Sequence, residues 1–109
     1  MSRLSTHVLD TASGRPAAGV AVTATVRKAE TWVVVGRGVT DGDGRIGDVL
    51  AGEALEAAVY RLTFATAAHL GPEAFYPEVV VTFRVTAPAE HHHVPVLLSP
   101  FGYTTYRGS

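Results

Sequence analysis

Val20-Ala21-Val22-Thr23-Ala24-Thr25-Val26-Arg27 decides the fold class. Side chains of an extended chain alternate between two faces. Val20, Val22, Ala24 and Val26 therefore share one side, and Ala21, Thr23, Thr25 and Arg27 the other. An apolar face opposite a polar one is the pattern of a strand lying on a core. The same alternation recurs downstream. Val79, Val81, Phe83 and Val85 oppose Val80, Thr82, Arg84 and Thr86, while Tyr60, Leu62 and Phe64 oppose Arg61 and Thr63. Extending this reading predicts strands near 5–10, 19–28, 31–39, 45–50, 58–66, 77–86, 91–99 and 101–107.

Turn signals separate these segments. Ser13-Gly14-Arg15-Pro16, Asp41-Gly42-Asp43-Gly44 and Ala87-Pro88-Ala89 each punctuate a gap. Glycine accepts positive φ there, and aspartate bonds nearby amides. Residues 65–73 have room for a short helix ending near Gly71-Pro72. Many short strands with Gly/Pro turns imply an all-β sandwich or barrel.

Composition narrows the class. The 109 residues suit one domain, 1–109, able to bury roughly two-thirds of its unfolded surface. An apolar fraction of 47% and a formal charge of −1 fit a globular protein. Near-neutrality disfavours nucleic acid as a partner, because phosphate binding calls for a basic face. No apolar stretch nears 18 residues, so no membrane span is expected. The chain has no cysteine, which excludes disulfides, thiol nucleophiles and thiolate metal sites, and suits a cytoplasmic location. The start, from Met1 to His7, lacks the apolar stretch of a signal peptide.

The other end is unusual. Phe101-Gly102-Tyr103-Thr104-Thr105-Tyr106 is aromatic and β-branched, and predicts a strand running to the last residue. Tyr106-Arg107-Gly108-Ser109 then brings an arginine, a serine and a free carboxylate to a fixed spot on a sheet.

Candidate chemistry rests on few residues. Parity puts His7 on the face of Ser5 and Leu9. Arg45 follows the Asp-Gly-Asp-Gly turn and faces away from the core if Ile46 faces inward. His91-His92-His93 makes a poor metal site: neighbours in a strand point to opposite faces, so only His91 and His93 could share an ion. Parity also assigns His92, Val94, Val96 and Leu98 to the core, and His93, Pro95 and Leu97 to the outer face. That outer face is still apolar, which predicts cover by a second subunit and places His93 beside the interface. No Gly-x-Ser-x-Gly elbow and no phosphate loop occurs. Asp41-Gly42-Asp43-Gly44 lacks the closing glutamate of a calcium loop and reads as a hairpin turn.

Three segments together resemble the transthyretin-related 5-hydroxyisourate hydrolases. They are Leu4-Ser5-Thr6-His7-Val8-Leu9-Asp10-Thr11 with Gly14-Arg15-Pro16-Ala17, then Thr40-Asp41-Gly42-Asp43-Gly44-Arg45, then the stretch from His93-Val94-Pro95 through Ser99-Pro100 to Tyr106-Arg107-Gly108-Ser109. They stand in family order and span nearly the whole chain. The terminal Tyr-Arg-Gly-Ser separates these hydrolases from the transthyretin hormone carriers. The resemblance implies a transthyretin-like, two-sheet, eight-stranded β-sandwich with one short helix. It implies a homotetramer with sites between dimers, a small-molecule substrate and no cofactor. It also assigns function to His7, Arg45 and His93 as catalytic groups and to Tyr106, Arg107, Gly108 and Ser109 as substrate-binding ones. His91, His92 and residues 67–73 depart from the family pattern and are expected to stand clear of the site.

Overall fold

The computed structural model describes residues 3–109; Met1 and Ser2, part of the start read for a leader, lie outside them. The chain runs through β1 (Leu4–Asp10), β2 (Arg15–Pro16), β3 (Ala21–Lys28), β4 (Thr31–Val39), β5 (Arg45–Ile46), β6 (Ala58–Phe64), α1 (Ala67–Leu70), β7 (Val79–Val85), β8 (His92–Ser99) and β9 (Gly102–Thr105). One sheet has the order β4-β3-β6-β7, antiparallel throughout. In the other, β1 and β8 lie side by side and parallel, β9 flanks β8, and β2 and β5 both pair with the far edge of β1.

Alternation sets what is buried. Val20, Val22, Ala24 and Val26 meet Tyr60, Leu62, Phe64, Val79 and Val85 from their own sheet and Leu4, Val8, Val96 and Leu98 from the other in one continuous core. Full burial of a side chain such as Leu62 or Phe64 stabilises the fold by about 1.5–3 kcal/mol. On the outer face of the β3–β6 sheet the Arg61 guanidinium lies 4.0 Å from the centre of the Trp32 ring. The eight expected strands are all present, joined by the short β2, which folds back onto the end of β1. The short helix also falls where expected and ends at Gly71, whose φ of 107° a side chain would resist.

Three local readings need correction. The strand expected over 45–50 stops at Ile46. Asp48 ends it, its carboxylate accepting from the Leu50 and Gly52 amides at 3.1 and 2.8 Å and winding the chain into a turn. Val49 and Leu50 still go inward, but as loop residues. The Asp-Gly-Asp-Gly turn is no hairpin: it carries the chain from β4 in one sheet to β5 in the other.

The last strand ends at Thr105 and not at the last residue. Pro95 has no N–H to offer its neighbour, so the ladder pauses there. The Thr105 hydroxyl donates to the Pro95 carbonyl at 2.8 Å, and pairing resumes when the Gly108 amide donates to the His93 carbonyl at 2.8 Å. The tail thus stays in register after β9 and lies along β8. It covers Pro95, which is buried within this chain, while Leu97 is half-buried. The outer face of β8 is less bare than its sequence suggests.

Candidate active site

Register brings the candidate residues together. In a parallel pair, opposed residues point to the same face. Ser5 opposes His93, and His7 opposes Pro95. On the other edge of β1, His7 opposes Arg45. Ser5, His7, Arg45 and His93 therefore share the outer face of one sheet, although His93 and Ser5 are 88 residues apart in sequence.

Arg45 owes its position to Asp41. One carboxylate oxygen of Asp41 accepts from the Asp43 and Arg45 amides at 2.9 and 3.0 Å, and the Asp41 carbonyl accepts from Gly44 at 2.9 Å. Gly44 has a φ of 75°, and a Cβ on it would strike the Val8 carbonyl oxygen. The Gly44 carbonyl in turn accepts from the Val8 amide at 2.7 Å, fastening the turn to β1. These amide bonds favour the charged carboxylate and hold Asp41 below its ordinary range.

A cleft of about 250 Å³ opens over this face, lined by Arg3, Ser5, Arg45, His91, His93 and Ser109 together with parts of Thr6, Ile46 and Gly47. Two arginines and two histidines line it, and no Asp or Glu side chain does. Such a cleft attracts anionic or carbonyl-rich ligands. His93 is held below its ordinary pKa, chiefly by burial and then by the charges of His91, Arg45 and His7, against an opposing hydrogen bond from Ser5. A neutral imidazole beside a fixed guanidinium can take a proton from water and steady negative charge on an adjacent oxygen.

The tail divides. Gly108 bridges to His93, and Ser109 reaches the cleft wall. Arg107 and Tyr106 instead line a second cleft of about 290 Å³, with Val81, Phe83, buried His92 and Thr105. Arg107 bonds Glu90 at 3.1 Å there. Within this chain the structure thus brings His7, Arg45, His93, Gly108 and Ser109 onto one face, and turns Tyr106 and Arg107 elsewhere.

His92 is buried, as parity predicts. The expectation that His91 stands clear of the site is overturned. His91 Nε2 lies 2.6 Å from Ser5 Oγ, and the same oxygen lies 2.8 Å from His93 Nδ1. Ser5 and His91 were the residues that sequence reasoning missed. Their parity with His7 and His93 was the available signal.

Comparison with known proteins identifies the family. A family model described as HIUase/Transthyretin matches residues 4–108. A 5-hydroxyisourate hydrolase of Caulobacter vibrioides is 45% identical over 116 residues, covering 100% of both chains. That of Mus musculus is 42% identical, covering 99% of this chain and 96% of its own. Among solved structures, Klebsiella pneumoniae 5-hydroxyisourate hydrolase superposes with a TM-score of 0.84 at 37% identity, covering 100% of each chain. Sparus aurata transthyretin superposes with a TM-score of 0.89 at 32% identity, over 99% and 97%. The match over residues 4–108, together with full-length relatives above 40% identity, places this chain in the HIUase/transthyretin family.

Proposed function

We propose that this chain, acting as one domain, hydrolyses 5-hydroxyisourate to 2-oxo-4-hydroxy-4-carboxy-5-ureidoimidazoline. The observation that carries this reading is the placement of His7, Arg45 and His93 on one sheet face, with Arg45 and His93 lining the cleft. The Caulobacter vibrioides and Mus musculus relatives, at 45% and 42% identity, bear the hydrolase name. A carrier of small ligands needs no such acid–base set.

Opening a ring amide with water requires a base for the water, a stabiliser for the oxyanion and an acid for the leaving nitrogen. His7 and His93 hold and activate the water, since imidazole exchanges protons near neutrality. Arg45 binds the substrate carbonyls through its planar fork and stabilises charge as it develops. Ser109 and Arg107 position the substrate and close the site, Gly108 lets the tail approach His93, and Tyr106 belongs to the wall. Arg107 and Tyr106 face away within one chain, so their part falls to a site completed by a second copy in a homotetramer. A cysteine-free chain suits work in the reducing cytoplasm.

The direct test generates 5-hydroxyisourate from urate with urate oxidase and follows its ultraviolet decay. Accelerated decay on adding this protein supports the reading. A rate equal to the uncatalysed one overturns it.

A further inference from the structure

Ser5 is 7% exposed, and its hydroxyl contacts two imidazoles at once, His93 Nδ1 at 2.8 Å and His91 Nε2 at 2.6 Å. A hydroxyl has one proton to give and lone pairs to accept. It can therefore accept N–H from one ring while donating to the other. His93 Nδ1 is engaged in this contact, and His93 Nε2 has no hydrogen-bond partner among the described residues. His93 is half-buried, whereas His91 is exposed. Positive charge is better solvated on His91 than on His93.

We propose that the Ser5 hydroxyl is a proton link that carries the charge formed at His93 out to His91. This rests on the hydrolase reading of the cleft. In the resting arrangement His93 Nδ1–H donates to Ser5 Oγ, and the Ser5 hydroxyl donates its own hydrogen bond to His91 Nε2. When His93 Nε2 takes a proton from the attacking water, His93 Nδ1–H passes to Ser5 Oγ, and the Ser5 hydroxyl proton passes to His91 Nε2. Hydroxide is delivered to the substrate carbonyl. His93 ends neutral with its proton on Nε2, ready to return it to the leaving nitrogen. His91 ends as imidazolium. The link resets by the reverse shift. His91 and Ser5 act through His93 and are positioning residues. The charged groups facing the pair are Arg3 ahead of β1, His7 on β1, Arg45 on β5 and the carboxylate of Ser109 at the end of the tail, with Arg107 reaching the His91 carbonyl at 3.5 Å beside Glu90.

The test compares Ser5→Ala, His91→Ala and the double variant, with 5-hydroxyisourate made in situ and with nitrogen-15 NMR of the imidazoles. The alanine at Ser5 deletes one oxygen, and His91 is exposed, so dispersed spectra check that each variant is folded. Each single variant is expected to lower kcat about 10-fold with KM within about 3-fold, and the double variant to be no slower than either single one. Ser5→Ala is expected to change the tautomer balance of His93 and to move its titration midpoint. Multiplying losses, or a His93 tautomer and titration unmoved by Ser5→Ala, overturns the link. If the unaltered protein does not hydrolyse 5-hydroxyisourate, the hydrolase reading fails by itself, and the NMR result still decides whether the link exists.

Discussion

Gly108 lies flat against the His93 ring: a Cβ built there would collide with His93 Cδ2 and stand 3.3 Å from Pro95 Cγ. The glycine is needed for space. Gly108→Ala must push away either the tail or the imidazole. We expect kcat/KM to fall by about 10-fold or more while Tm moves little, because Gly108 packs outside the core and a small misplacement of a reacting group is costly. Kinetics paired with thermal unfolding check this. Unchanged kinetics would mean that His93 tolerates the shift.

His7→Ala, Arg45→Ala and His93→Ala should each lower turnover by about 10²-fold or more, the scale of a lost acid–base or oxyanion group. Their circular dichroism should match the unaltered protein, since all three side chains lie on the outer face of the sheet. A variant retaining full turnover removes its residue from the mechanism.

The pH profile follows from the lowered pKa of His93. A group depressed in the folded state binds fewer protons there than in the unfolded chain as pH drops past about 6.5. Its contribution to stability is whole above that value and is lost as pH falls through the folded pKa. Activity follows the same sign: the acid limb of kcat/KM should lie below pH 6.5. Arg45→Gln removes one of the charges responsible and should raise the NMR midpoint of His93, though burial keeps it below 6.5. A midpoint that stays put would show that Arg45 exerts no such influence.

Asp41 never reaches the cleft lining, yet Arg45 depends on it. Asp41→Ala deletes the acceptor for two amides, and we expect a several-fold loss in kcat/KM together with a lower Tm. Asp41→Asn keeps one oxygen acceptor and should recover most of both. Equal damage from the two variants would point to the charge instead of the turn.

Deleting residues 106–109 should abolish hydrolysis while leaving most of the β signal in circular dichroism, since the core strands lie earlier. Light scattering on the unaltered protein is expected to give a tetramer. A fully active truncated form would refute the part assigned to the tail, and an active monomer would refute a site shared between copies.

Much of the fold was legible because alternation translates directly into burial: Val22, Ala24 and Val26 are at most 1% exposed. Strand ends were less legible, because single polar side chains decide them. Asp48 stops β5 with its carboxylate, and Pro95 interrupts the last ladder by lacking an N–H. At the site, parity grouped His7 with Ser5 on one strand and His93 with His91 on another, and only the family resemblance joined His7 to His93. Parity could not show that Ser5 faces His93 across a parallel pair, because register between distant strands is set by the whole sandwich.

The parallel pairing of β1 with β8 also governs when the site comes into being. β8 is an inner strand of its sheet, yet it is among the last to be synthesised, and its partner β1 is among the first. Until residue 99 has been made, β1 has only the two-residue strands β2 and β5 beside it. Contacts of such long sequence separation form slowly, after the entropy of closing a large loop has been overcome. A nascent or prematurely ended chain thus has no partly working cleft: the closing of the last long-range strand pair and the gain of catalytic competence are one folding event.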